Sequence, residues 1–462
     1  MDVGILVSQL SFYIFYITTN YICADLKPTV FYLILSHLHH SNFAFLQKNI
    51  LFIFILFACL GLQAQDTVQQ VAAGRKNAAA NLNKPYLIII SADGFRYDYA
   101  KKYNATNLLR LRESGVQARS MIPSFPSVTF PNHYTIATGL YPAHHGLVYN
   151  QFYDRNKKAS YTMYDRKAVE DGSWYGGLPL WVLAEQQGMI SASYHFVGTE
   201  ASIQQTSPTY WYKFNDKTNI DYRIQKVVDW LQLPAEVRPH LITFYMSEAD
   251  HAGHDYGPDS RQTEKAVQFI DDAIGKMTKR INALGLPVNF IFLSDHGMAT
   301  VDTATKINIR SMIDTSRFII HGGSSSLHLY AKTWADIRAT YDALKKKEND
   351  FTVYLREEIP SKWHYDKTED RFDRIGDIFI VPQYPKVLSS WWGGMDIGAH
   401  GFDPSIKEMH ASFYAWGPQF KKGKTISSFE NVHIYPMVCR LLGLKYTHEI
   451  DGKLEVLKKV LK

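Results

Sequence analysis

Three short segments of this chain follow an apolar run with carboxylates, two of them with imidazoles as well. Residues 86–90 (Tyr-Leu-Ile-Ile-Ile) lead into Ser91-Ala92-Asp93-Gly94. Residues 241–245 lead into Glu248-Ala249-Asp250-His251-Ala252-Gly253-His254, and residues 288–293 into Ser294-Asp295-His296-Gly297. A fourth stretch reads Gly398-Ala399-His400-Gly401. Hard carboxylate oxygens together with imidazole nitrogens suit Zn²⁺ and similar divalent ions. Each segment alone is a weak signal. An Asp-His pair in a loop is ordinarily just polar, and in Asp250-x3-His254 the neighbouring His251 offers a competing choice. The recurrence of one pattern at several strand ends is the stronger signal. Glycine beside each pair lets the backbone turn sharply off a strand.

A fifth segment, Pro123-Ser-Phe-Pro-Ser-Val-Thr-Phe-Pro-Asn-His-Tyr134, supplies a hydroxyl. Pro131 suits the first turn of a helix, where a missing N–H costs nothing. That places Thr129 at or just before a helix N-terminus. A nearby cation would lower the pKa of its hydroxyl, otherwise far too weak a nucleophile. Unpaired N–H groups at such a terminus also favour a bound phosphate. Without the carboxylate and histidine clusters, Thr129 would read as a plain N-cap.

These segments need a scaffold that brings them together. A fully buried strand is expected over 86–90, where every position is apolar, and further apolar strands over 191–196, 241–245 and 288–293, with another near 116–122. Helical patterns over 107–114, 178–187, 222–231 and 260–284 alternate with them. Strand–helix alternation predicts an α/β fold: a mostly parallel sheet with helices on both faces. Its ligands bind beyond the carboxyl ends of the strands. From about 307 to 390 the pattern changes to short strands (327–330, 352–355, 377–381) around a helix at 334–347. This reads as a small α/β insert. The chain returns to the core at 412–415 and ends in a helix over 431–442. The catalytic α/β domain is therefore 85–306 with 391–462, and the insert is 307–390.

The chain has 462 residues and a net charge of +6. Its mean hydropathy of -0.21 excludes a polytopic membrane protein. The apolar and aromatic content excludes a disordered chain. No Lys/Arg run is long enough to read as a nucleic-acid arm. Residues 1–64 differ from the rest. Lys48 precedes a short apolar run, Ile50 to Ala58, and then small residues up to Ala64. That is the pattern of a secretory signal cut after Ala64. Leu56-Phe57-Ala58-Cys59 weakly resembles a lipoprotein box. Residues 1–45 read as a start assigned too far upstream, with a membrane anchor as the other reading. Residues 65–84 read as a tether. Cleavage would leave one cysteine, Cys439, hence no internal disulfide. The expected location is periplasmic or secreted, with membrane attachment only through an uncleaved leader.

Taken together, the segments resemble the nucleotide pyrophosphatase/phosphodiesterase family of the alkaline phosphatase superfamily, over roughly residues 86–442. The resemblance is carried by Asp-Gly after the first strand, Thr-Phe-Pro-Asn-His, Asp-x3-His-x2-Gly-Pro, Ser-Asp-His-Gly-Met and Gly-x-His-Gly. It implies an alkaline-phosphatase-like fold and two Zn²⁺ ions, other divalent ions fitting the same donors. By motif match, Asp250, His254 and His400 would hold one ion. Asp93, Asp295, His296 and the Thr129 oxygen would hold the other. Thr129 would be the nucleophile, forming a phosphothreonine. Asn150 would hydrogen-bond a phosphate oxygen. Phe130 and Phe214 match a pair of aromatics that clamp a base, and Tyr245 an aromatic beside the metals.

Two departures bear on substrate recognition. Val128 stands where many nucleotide-preferring members have Lys, and Phe196-Val197 replaces Trp-Pro. The implied activity is cleavage of phosphodiester or pyrophosphate bonds in a nucleotide or related small molecule. An alkaline phosphomonoesterase, with Lys213 supplying charge, is the nearest alternative. A phosphonate or choline-phosphodiester hydrolase on the same metal frame is another. A sulfatase is disfavoured because no Cys/Ser-x-Pro-x-Arg segment lies near Thr129. A non-catalytic binding module is disfavoured because every expected ligand is present.

Overall fold

The computed structural model describes residues 68–389 and 396–462. The expected leader, its cleavage point and the residues before it lie outside the described residues. Residues 66–462 form one compact unit. Its centre is a nine-stranded sheet. The strands that position the site are β1 (Tyr86–Ala92), β2 (Ser191–Tyr194), β3 (Leu241–Met246), β4 (Val288–Leu293) and β5 (Phe413–Trp416). They lie in the order β2-β3-β1-β4-β5. The first four run parallel, and β5 returns antiparallel beside β4.

Every residue of β1, β3 and β4 is buried, which explains their largely apolar composition. Alternation sends Ile88 and Ile90 into one hydrophobic cluster and Leu87 and Ile89 into another, on the opposite face. Fully burying each such side chain stabilises the fold by about 1.5–3 kcal/mol. The first cluster packs under α2 (Ile220–Leu231) and α4 (Arg261–Asn282). Helix α4 starts on a Ser260 side chain that accepts from Thr263 N, and its apolar residues Val267, Ile270, Ile274, Met277 and Ile281 keep helical spacing.

Residues 65–84 were expected to be a tether, but their described part is bound to the sheet. Gln70–Val71 pairs antiparallel with Tyr210–Tyr212 as an edge strand. The Asn77 amide donates to the carbonyls of Ala235 and Arg238. A polar, Ala-rich composition does not exclude such docking, because main-chain bonds carry it. Between Phe318 and Pro382 lies a separate four-stranded antiparallel sheet, with helix Trp334–Lys345 beside it. Its first strand, Phe318–Gly322, was not expected. The hairpin Gln151–Asp154/Ala159–Thr162 was not expected either. Among the described residues, no helix is long and apolar enough to cross a membrane.

Candidate active site

Because β1, β3 and β4 are parallel neighbours, their carboxyl ends share one edge. Asp93 follows β1 directly, and its N–H extends the ladder to Met246 O (2.8 Å). The next residue, Gly94, has φ +64°, and a Cβ there would lie 2.9 Å from Asp250 Cα. Only glycine lets that turn pass so close. Gly94 N and the Ser294 hydroxyl both donate to Asp295 Oδ1, at 3.3 and 3.2 Å. Beyond β3, Glu248–Tyr256 forms helix α3. Its turn puts His254 on the face of Asp250, with Nε2 3.5 Å from Asp250 Oδ1, while His251 is left exposed. Helical register thus settles which histidine accompanies Asp250.

The seven expected ligand residues meet in two adjoining groups. Asp250, His254 and His400 offer ligand atoms within 4.8 Å of one another, and so do Asp93, Asp295 and His296. His400 Nε2 is 3.6 Å from Asp250 Oδ1. His296 Nε2 is 3.3 Å from Asp93 Oδ1 and 3.0 Å from Asp295 Oδ2. The groups touch through the His296 and His400 rings, stacked 3.6 Å apart. His400 belongs to a loop that turns at Gly401 (φ +97°), where a Cβ would clash with Ser325 Oγ at 2.1 Å.

Three observations fit these donors to divalent cations. First, Asp93 Oδ1, Asp250 Oδ1 and Asp295 Oδ2 are buried with no hydrogen-bond partner. Orphaned buried carboxylate oxygens cost free energy unless a cation meets them. Second, each histidine places its Nδ1 on a backbone carbonyl: His254 on Gly398 O (3.0 Å), His296 on Gly297 O (2.9 Å) and His400 on Ser127 O (2.9 Å). A carbonyl only accepts, so Nδ1 carries the hydrogen and Nε2 is left as the lone pair facing the cluster. Third, burial, then Asp295 and Asp250, push the Asp93 carboxyl well above its ordinary range. Burial and the neighbouring His296 and His254 hold His400 well below its own, in the neutral form that binds metals. Burial would raise Asp295 too, but His296 and His133 outweigh it and keep that carboxyl low.

Thr129 opens helix α1 (Thr129–Thr138), whose N-cap is Val128 without a side-chain cap. The Thr129 hydroxyl is therefore not a cap. It lies 3.2 Å from His296 Nε2, against the second group. The expectation of free N–H groups for phosphate at this terminus needs correction. Phe130 N donates to Asn150 Oδ1 (2.9 Å), and Pro131 has no N–H. Asn150 caps the helix from outside, and the same bond leaves its Nδ2 amine as the donor edge.

The aromatics divide. Tyr245 is buried, and its hydroxyl donates to Asp93 Oδ2 at 2.5 Å. Phe214 is 41% exposed, with its ring 6.0 Å from that of Tyr245 and 5.3 Å from His195. Phe130 is half-buried, its ring 6.3 Å from Tyr161. Val128, Phe196 and Val197 are buried. Lys213 does not supply a free charge, because its Nζ pairs with Glu170 at 2.8 Å. The sequence reading missed Tyr164. This strongly exposed aromatic follows the hairpin that carries Asn150, within electrostatic reach of Asp250. The alternation of Phe152 and Tyr161 about a polar turn was the available signal.

Known proteins place this architecture. The chain is 32% identical over 386 residues to venom phosphodiesterase 2 of Crotalus adamanteus, covering 81% of this chain and 47% of the snake protein. It thus spans about half the length of the venom phosphodiesterases it matches. It is 34% identical over 397 residues to an uncharacterised pyrophosphatase/phosphodiesterase of Schizosaccharomyces pombe, covering 81% of this chain and 80% of the yeast protein. The solved structure of murine ectonucleotide pyrophosphatase/phosphodiesterase 5 superposes with a TM-score of 0.77 at 28% identity, covering 82% of this chain and 100% of that one. The same murine protein has been solved in an inactive threonine-to-alanine form in complex with AMP. The sequence pattern of the type I phosphodiesterase/nucleotide pyrophosphatase family matches residues 87–403, so with this fold the chain belongs to that family.

Proposed function

We propose that this protein is an exported two-metal hydrolase that cleaves phosphodiester or pyrophosphate bonds in nucleotides or related small molecules. The carrying observation is the Thr129 hydroxyl, 3.2 Å from His296 Nε2 at the junction of two Asp/His groups. In this reading Asp250, His254 and His400 hold one Zn²⁺, and Asp93, Asp295 and His296 hold the other together with Thr129. Bound there, the ions supply charge to offset that of the phosphoryl oxygens and of the attacking and leaving oxygens.

The chain's own residues do the rest. Helix α1 presents Thr129 Oγ1, which attacks phosphorus as its proton passes to solvent water, and the bond to the leaving oxygen breaks on the far side, that oxygen taking up a proton from water. That side is the one bounded by Asp250, His254 and His400. Water then attacks the phosphothreonine, freeing Thr129 and a phosphate monoester. Asn150 Nδ2 orients a phosphoryl oxygen. Phe130 and Phe214 flank a planar group, with Tyr245 at its inner end. The pairing of Lys213 with Glu170 favours a diester over a monoester, since no free cation of the kind expected for the second negative charge remains at that residue.

The test compares the p-nitrophenyl ester of thymidine 5′-monophosphate with p-nitrophenyl phosphate, on the zinc-loaded protein and on Thr129→Ala. The diester should be strongly preferred, and Thr129→Ala should retain zinc while losing turnover. A preference for the monoester, or full turnover by Thr129→Ala with zinc bound, would overturn the reading.

A further inference from the structure

His133 is fully buried one helical turn after Thr129 on α1, and no catalytic role has yet been given to it. Its Nε2 lies 2.8 Å from the Ser91 hydroxyl on β1. Its Nδ1 lies 3.0 Å from the Thr129 carbonyl oxygen and 3.2 Å from Asp295 Oδ2. The carbonyl can only accept, so Nδ1 carries the hydrogen, and Nε2 accepts from Ser91. The edges of Phe196 and Tyr245 close on the ring at 5.2 and 5.3 Å, leaving it one orientation. One imidazole thus joins three parts of the site: the strand that ends at Asp93, the first residue of the nucleophile helix, and the Asp295 oxygen that also faces His296.

A histidine that merely filled the core would need a single partner for each nitrogen. The Nδ1–H bonds the nucleophile's own carbonyl instead, and the same nitrogen stands 3.2 Å from a carboxylate oxygen of the second Asp/His group that has no hydrogen-bond partner. We infer that His133 is a positioning residue, whose Nδ1–H sets the spacing between the Thr129 nucleophile and the Asp295 carboxylate, with Ser91 fixing the tautomer. The inference rests on the two-metal reading of the site. Groups that orient a metal-binding carboxylate typically contribute 10- to 100-fold in metal affinity or activity.

The amide of Asn superimposes on Nδ1 of His, and that of Gln on Nε2, so two substitutions separate the two ends of the ring. Zinc affinity is measured by competition with a chromogenic chelator, and kcat and KM separately on the thymidine diester above. His133→Gln should lose about 10- to 100-fold in both the affinity of one zinc site and kcat, with KM little changed. His133→Asn should recover most of both. Equal losses in the two variants, or unchanged zinc affinity in His133→Gln, would overturn the inference while leaving the hydrolase reading intact. If His133→Gln does not fold, Ser91→Ala carries the test: a several-fold loss of zinc affinity supports the inference, and unchanged affinity overturns it. A parent protein that binds no divalent ion overturns the reading of the site itself, and this inference with it.

Discussion

The Tyr245 hydroxyl donates to Asp93 Oδ2 at 2.5 Å, so the last aromatic of β3 orients a carboxylate at the end of its neighbour β1. The other Asp93 oxygen is left without a partner and faces His296 at 3.3 Å. The tyrosine thus decides which oxygen is available to a cation. Tyr245→Phe should lower zinc affinity and kcat about tenfold or more, the usual cost of losing an outer partner of a metal ligand. Zinc titration alongside steady-state kinetics measures both. An unchanged affinity would reduce Tyr245 to a wall of the pocket.

Removal of the ions should be felt in stability as well as turnover. Burial and the neighbouring Asp295 and Asp250 carboxylates raise the free energy of the charged Asp93 side chain. A ligand at a hundredfold excess over its Kd adds about 2.7 kcal/mol per site. Chelation should therefore lower the thermal midpoint by several degrees and abolish diester cleavage, and added zinc should restore both. Calorimetry with and without chelator is the measurement.

Phe214 is exposed and stands on a short segment pinned by Glu200, which accepts from its N–H at 2.9 Å. Base–aromatic stacking contributes about 1–3 kcal/mol. Phe214→Ala should cost roughly 5- to 150-fold in kcat/KM on a nucleotide diester. It should change cleavage of a p-nitrophenyl methyl phosphate far less. Equal effects on the two substrates would remove the base-clamp role.

His144 lies between Asp451, 2.8 Å from its Nδ1, and Glu369, which pairs with Nε2. Burial opposes the charged imidazole, but the bond to Asp451 outweighs it and His144 titrates above its ordinary value. A raised folded value gives stability that is complete below the unfolded pKa, near 6.5, and is lost as pH climbs through the folded one. The thermal midpoint should therefore fall as pH rises past the unfolded value, near 6.5, and His144→Gln should flatten that part of the profile. Melting curves across the range decide it.

Much of the site was legible because strand ends announce themselves. Residues 86–90 are uninterruptedly apolar and 288–293 apolar but for Asn289, and parallel pairing then forces Asp93 and Asp295 to one edge. Residue types alone left His251 and His254 open; the motif match named His254, and the helix that begins at Glu248 supplies the physical reason. The Asn150 cap on Phe130 N was not legible, since it depends on a hairpin whose strands hold only four residues each. The edge strand at Gln70–Val71 escaped for the same reason: two residues carry no periodicity. Long-range packing, not local pattern, determined the Asn150 cap and the edge strand.

The six aspartate and histidine donors run from Asp93 to His400, with the antiparallel insert sheet synthesised before the last of them. A ribosome-bound chain cannot complete the Asp250 group until that insert has emerged. Completion of that group would therefore report that the insert has been made, whereas Asp93, Asp295 and His296 all precede it, and a fragment cut short of His400 would display Asp250 and His254 with nothing to complete them.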